Sequence, residues 1–97
     1  MNLRKLARGR DCQVRIPMVC SHDSDTVVLA HLNGGGMGMK ASDLSEAAWA
    51  CANCHRWLDF DYAKDHTREQ RDLYHLEAVI RTISILEREG VIGVLRK

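Results

Sequence analysis

Cys51-Ala52-Asn53-Cys54-His55 (CANCH) is the stretch that decides how this chain folds. A C-x2-C pair puts two thiols on one turn of backbone, and here an imidazole follows directly. Two sulfurs are half of a tetrahedral zinc shell, since structural sites take four Cys or Cys/His donors. The other half lies upstream, in Cys12 and Cys20 (C-x7-C), which complete the chain's four cysteines. Sulfur is a soft ligand that gives up its proton on coordination. The layout therefore predicts that Cys12, Cys20, Cys51 and Cys54 close on a single Zn2+. Four thiolates leave no open coordination position, so this ion would be structural and not the catalyst. Two alternatives stand beside it: buried free cysteines, which are common in cores, and His55 as a zinc ligand in place of one sulfur.

Ninety-seven residues make one core, and a core of that size gains from a staple. Zinc contributes on the order of 10 kcal/mol in small modules. The composition, with 28% charged residues and one proline, is that of a globular domain and not of a disordered one. No apolar run reaches membrane-spanning length, and the N-terminus lacks the apolar core of a signal peptide. The expectation is a cytoplasmic protein without membrane contact. There, thiols stay reduced and a cysteine quartet binds metal more often than it forms disulfides. Exchange chemistry at C-x2-C is disfavoured by the remote second pair and by the lack of a βαβ pattern. The net charge of +1 conceals an asymmetry: Arg4, Lys5, Arg8, Arg10 and Arg15 are opposed within the first fifteen residues only by Asp11. Such a cluster suits phosphate, although a solvated terminus would look the same.

Residues 1–10 read as a basic arm or a short helix, and 11–97 as a single domain. Cys12 to Ile16 (CQVRI) alternates apolar and polar residues before Pro17, which predicts a short strand. Ser21 to Asp25 is turn chemistry. Thr26 to Leu32 (TVVLAHL) predicts a buried strand ending near His31. Asn33 to Gly38 (NGGGMG) is a glycine loop, and Ser42-Asp43-Leu44 a brief helical turn. Glu46 to Ala50 is assigned to a second strand returning beside the first. A helix starts at the CANCH knuckle. Thr67-x-x-Gln70 is a capping-box pattern opening a helix of more than twenty residues, which stops at Gly90. Its Leu73, Leu76, Ile80, Ile83 and Leu86 recur at three-four spacing, so this stripe is expected to complete the core. Val91 to Leu95 reads as a trailing strand or a packed tail. The fold class is α+β, small and zinc-stabilised, with a long C-terminal helix.

Strand, loop, strand and helix would bring His31, His55 and Asp59 around one cleft. His55 and Asp59 are four apart and share one helix face. Imidazole and carboxylate suit a divalent cation acting on a phosphodiester, and a histidine beside that cation can serve as general base towards water. Each residue also has a plain explanation: His31 as a hydrogen-bonded core histidine, Asp59 as a solvated residue or a partner of Arg56.

Taken together these residues resemble the HNH, or ββα-metal, nuclease superfamily. Within it they are most similar to the prophage-encoded nucleases of the YbcO type, related to the Ref nuclease. The resemblance runs from Leu3–Cys20 (LRKLARGRDCQVRIPMVC) through Leu29-Ala30-His31 and Cys51–His55 to Glu89–Ile92 (EGVI), covering most of the chain. It implies an HNH-like fold and assigns roles. His31 matches the general base. His55 matches a ligand of the catalytic metal, and Asp59 stands where many members have a second ligand. Cys12, Cys20, Cys51 and Cys54 match the structural zinc ligands. The pattern departs in two places. The residue before the base, usually an Asp or His ligand, is Ala30, so that ligand comes from elsewhere, with Asp43, His66 and His22 as candidates. The middle Asn that orients the base has its nearest counterpart in Asp43 before Leu44, with Asn33 as the other candidate.

Two functions follow. The first is a metal-dependent DNA endonuclease using Mg2+ or Mn2+, with Arg4, Lys5, Arg8, Arg10 and Arg56, together with Lys64 and Arg68, holding the DNA backbone. Such contacts read charge and shape, so little sequence preference and strong salt dependence are expected. The alternative is a zinc-stabilised module that binds DNA or a recombination protein without catalysis. Dimer and monomer are equally compatible with the sequence.

Overall fold

The computed structural model describes residues 2–32 and 42–93. The expected glycine loop, including Asn33, lies outside these residues, as does the end of the expected tail at Leu95.

The frame is a two-stranded antiparallel sheet with helices around it. Strand β1 (Val28–His31) pairs with β2 (Ala47–Ala50) in the register Leu29 to Trp49 and Ala30 to Ala48. The first lies within the apolar run 26–32 and the second within 46–50, a segment whose alanines alone would favour a helix. Every residue of β2 is buried, and three are alanine, so neighbouring elements approach its backbone closely. Helix α2 (Ala52–Asp59) begins directly after β2, with Cys51 as its N-cap: the Cys54 N–H points at the Cys51 sulfur at 3.4 Å. The knuckle is therefore also a helix start. A 3-10 turn, Asp61–Lys64, leads to the long helix α3 (Arg68–Arg88), opened by the expected capping box of Thr67 and Gln70. Gly90, at φ 76°, ends it, and the Val91 N–H returns to the Leu86 carbonyl.

The basic segment 1–10 carries a short helix, α1 (Leu3–Leu6), capped by the Asn2 side chain. Leu3 and Leu6 pack on the core, and Ala7 is fully buried. Val91 and Ile92 also pack against the core, and the chain through Gly93 forms no strand there.

Two expectations are corrected. Cys12–Ile16 is not a strand. Arg15 has φ 53°, and Met18 and His22 follow at 66° and 56°, left-handed conformations that interrupt any ladder. The segment is instead a loop pinned at Gln13, whose N–H reaches the Trp49 carbonyl at 2.8 Å and whose carbonyl accepts from Arg81 at 2.6 Å. The expected apolar positions Cys12, Val14 and Ile16 are all buried, but so is Gln13, and the backbone serves the sulfurs rather than a sheet.

The second correction concerns α3. Leu73, Leu76 and Ile80 are 59%, 47% and 64% exposed, so they do not complete the core. The buried face is Arg71, His75, Ala78, Val79, Thr82 and Leu86. A two-stranded sheet leaves backbone groups without ladder partners, and buried polar side chains satisfy them. Thr82 Oγ1 accepts from the Trp49 N–H at 3.1 Å and donates to the Ala78 carbonyl. Arg71 donates to the Leu58 carbonyl at 2.9 Å, and its guanidinium lies over the Tyr62 ring. These hydrogen bonds, together with the small Ala78 against the alanines of β2, decide which face turns inward.

Candidate metal and nuclease site

The four cysteines converge. Their sulfurs all lie within 4.8 Å of one another, with Cys12, Cys51 and Cys54 buried and Cys20 half-buried. Cys20 and Cys51 are 3.8 Å apart, close to the sulfur–sulfur separation that Zn–S bonds of about 2.3 Å give in a tetrahedron. All four are free thiols, far beyond disulfide length. The left-handed turns noted above wrap backbone N–H groups around the cluster. Val14, Arg15 and Cys51 serve Cys12, Ile16 serves Cys54, His22 serves Cys20, and Ser21 serves Cys51. The hydrogen bond with Cys54 draws the Cys12 thiol down to about 4, and the same contact pushes Cys54 far up. Burial raises Cys20 to about 11. Four sulfurs this close cannot all be thiolates by themselves, so part of the set keeps its protons until a cation supplies positive charge. The donor set fits a closed structural metal ion, and the cluster could hold one.

His31 ends β1, and Asp43 lies in the turn before β2. The pair meets as 2.5 Å between His31 Nε2 and Asp43 Oδ1. Arg4 of α1 approaches the same carboxylate, with Nε at 3.2 Å and Nη2 at 3.4 Å. The hydrogen bond from His31, then the one from Arg4, holds Asp43 below its ordinary carboxylate range. With Nε2–H donated to Asp43, the Nδ1 of neutral His31 is left as an acceptor.

His55 and Asp59, one turn apart on α2, stand 3.5 Å apart between Nε2 and Oδ2. His75, on the buried face of α3, links the two regions. Its Nε2 lies 2.9 Å from the carbonyl of Ala30, the residue before His31, and the charges of Asp59 and His55 act on its ring. Burial first of all lowers its pKa, which keeps the ring neutral. His75 was not singled out in the sequence, because a lone histidine inside a helical pattern carries no motif. Its only signal was its i+4 spacing from Arg71 and placement off the leucine stripe.

The other expected residues lie as follows. His66 pairs with Asp65 and packs edge-on against Trp57, while His22 Nδ1 is 3.7 Å from the Cys20 sulfur. The three candidates for the ligand missing at Ala30 are thus engaged as follows: His66 with Asp65, His22 beside the Cys20 sulfur, and Asp43 with His31 and Arg4. Arg10 is committed to Glu89 at 2.5 Å and to the Trp49 ring. Arg56 and Lys64 both approach Asp61. Arg4, Lys5 and Arg8 line an open groove of about 620 Å3 beside Thr26 and Val28. No helix among the described residues is long and apolar enough to cross a membrane.

Residues 1–91 match the family model described as "Putative nuclease YbcO". The chain is 43% identical over 101 aligned positions to the "Putative nuclease YbcO" of Escherichia coli strain K12, covering 94% of this chain and 96% of that protein. The protein of the same description from Enterobacteria phage 82 matches equally, at 43% identity and the same coverage. A solved structure, described as that of a putative bacteriophage protein from Escherichia coli K-12 MG1655, superposes with a TM-score of 0.75 at 42% identity. It covers 92% of this chain and 100% of its own.

Proposed function

The chain belongs to the YbcO family, and from that premise we propose that it is a metal-dependent DNA endonuclease of the HNH type. In this reading Cys12, Cys20, Cys51 and Cys54 hold a structural Zn2+, and His55 and Asp59 hold a divalent cation. The observation that carries the reading is the His31–Asp43 pair, a histidine fixed in orientation by a carboxylate within a chain of this family.

Asp43 accepts from Nε2–H and so fixes both the tautomer and the direction of the His31 ring. Arg4 in turn steadies Asp43. Nδ1 of His31 then takes a proton from the attacking water as that water adds to phosphorus. Asp43 offsets the positive charge that His31 gains, much as a carboxylate supports an imidazolium in other base pairs of this kind. The cation, when bound, supplies positive charge to the phosphate and the departing oxygen. In this reading Lys5, Arg8 and Arg56 hold the DNA backbone, with little base preference.

The experiment is nicking of supercoiled DNA by purified protein with Mg2+ or Mn2+ restored after EDTA. Cleavage should appear only with the cation, and should fall about 100-fold or more in His31→Ala, the usual scale for a lost general base. Undiminished cleavage by that variant overturns the assignment. A second reading, a DNA- or recombination-protein-binding module without catalysis, is favoured by one observation: Ala30, where a ligand is expected, is packed into the core. In that case DNA binding persists in EDTA and no cation produces cleavage.

A further inference from the structure

His75 is only 1% exposed, yet it is a polar side chain whose second nitrogen has no hydrogen-bond partner. The Ala30 carbonyl can only accept, so the hydrogen on this neutral ring sits on Nε2. Nδ1 is then a bare lone pair, buried and unpaired. Buried polar atoms nearly always have a partner, so an orphan of this kind marks an unplaced water, ion or function. The nearest candidate donors come from α2, which lies against this stretch of α3: Arg71, one turn before His75, donates to the Leu58 carbonyl at 2.9 Å, and the next residue on α2 is Asp59, paired with His55 at 3.5 Å.

We propose that His75 Nδ1 is a ligand, together with His55 and Asp59, of a divalent transition-metal cation. The proposal rests on the reading of His55 and Asp59 as ligands given above, and adds the donor that Ala30 cannot supply. Metal-binding histidines characteristically give their other N–H to a backbone carbonyl or carboxylate, which fixes the tautomer and aims the lone pair. His75 does so at Ala30 itself, so α3 delivers a nitrogen at the point of β1 where a side-chain ligand is absent. Two imidazoles and one carboxylate form a donor set that suits Mn2+, Co2+ or Zn2+ better than Mg2+, which prefers oxygen and retains its waters. Among the described residues only the cysteines already have their donor atoms within 4.8 Å of one another. The site therefore closes on binding: the His55 and Asp59 side chains, 40% and 33% exposed, turn on α2 towards the fixed nitrogen of His75.

Calorimetric titration of Mn2+ and Mg2+ into protein whose cysteine site is filled with zinc tests this directly. Loss of a supporting partner alone weakens metal sites about 10–100-fold, so His75→Gln should lower Mn2+ affinity by at least about 100-fold. Mg2+ should bind more weakly than Mn2+ to the unsubstituted protein. Because His75 is buried, a measurement without substitution accompanies it: nitrogen-15 NMR of the histidine rings with one further equivalent of cadmium-113 added to protein whose cysteine site is already filled with cadmium-113. Movement of the His75 Nδ1 resonance and coupling to cadmium are expected. A His75 ring that does not respond while the cation binds, equal Mn2+ affinity in His75→Gln, or no uptake beyond the cysteine site overturns the proposal. The two readings fail separately. Cadmium on His75 without DNA cleavage removes the nuclease assignment alone, whereas cleavage with a silent His75 removes this ligand alone.

Discussion

The cysteine cluster and the histidine–carboxylate region are both built from metal-binding side chains, yet they are organised in opposite ways. The four sulfurs lie within 4.8 Å of one another, are mostly buried, and are approached by backbone groups that include two left-handed residues, Arg15 and His22. The histidines and carboxylates are shared among β1, the turn before β2, α2 and α3: His31–Asp43 and His55–Asp59 are partly exposed pairs, whereas His75 is buried against the Ala30 carbonyl. A closed set of identical donors has one use, which is to hold the frame. A divided set with open edges has room for a changing occupant. The difference teaches that the cysteine knuckle and the His55–Asp59 pair share a segment, Cys51 to Asp59, so the cluster fixes the start of α2 and with it His55.

The sharpest way to break this comparison is at the sulfurs. Cys54→Ser should lose the bound ion and with it a folding contribution on the order of 10 kcal/mol, leaving an unfolded chain. Elemental analysis alongside thermal unfolding by circular dichroism checks it. A variant that is ion-free but melts like the original would make the cluster an ordinary core. At the histidine region the expected cost is mainly functional: His31→Ala should lose cleavage while staying folded, with a melting temperature no lower than that of Asp43→Asn.

A finer test separates orientation from proton transfer. Asp43→Asn keeps a hydrogen-bonding group of the same shape but not its charge, and cleavage should fall about 10–100-fold, the scale of a lost supporting partner. The sign with pH is fixed by the direction of the shift. Asp43 is held below its ordinary value, so its stabilising contribution is complete above that value and disappears as pH falls through the lower, folded-state value. Melting profiles of wild type and Asp43→Asn should therefore converge in acid and separate towards neutral pH. Convergence at neutral pH instead would mean the contact with His31 is not formed in solution.

Thr82→Ala tests the join between α3 and β2, since it leaves the buried Trp49 N–H without its acceptor. A loss of about 1–3 kcal/mol is expected in denaturant unfolding. The smallest effect belongs to the exposed stripe: Leu76→Gln and Ile80→Gln should each change stability by no more than about 0.5 kcal/mol. A loss of several kcal/mol there would restore the stripe to the core and contradict the observed face.

Much of the frame was legible because it is local. The knuckle, both strands, the capping box and the Gly90 stop are each set by neighbours within a few residues. The α3 face was misread because three-four spacing identifies a stripe but not what covers it. Leu73, Leu76 and Ile80 satisfy the pattern, but the narrow, alanine-lined β2 takes Ala78 and Thr82 instead. Cys12–Ile16 was misread for a related reason: its apolar residues are buried as expected, but Gln13 is buried with them and the left-handed Arg15 turns the backbone to the sulfurs. At the candidate site the residues carrying the family resemblance were visible, whereas His75 was not, since its part depends on a carbonyl forty-five residues away.

By itself the sequence determined the C-x2-C knuckle, the capping box and the stop of α3, because these act over a few residues, and its motifs carried the family resemblance. The tertiary structure alone decided which face of α3 is buried, that Asp43 and Arg4 are brought to His31, and that His75 reaches the sheet. Those outcomes follow from which backbone groups a two-stranded sheet leaves unpaired, and only packing reveals where they are.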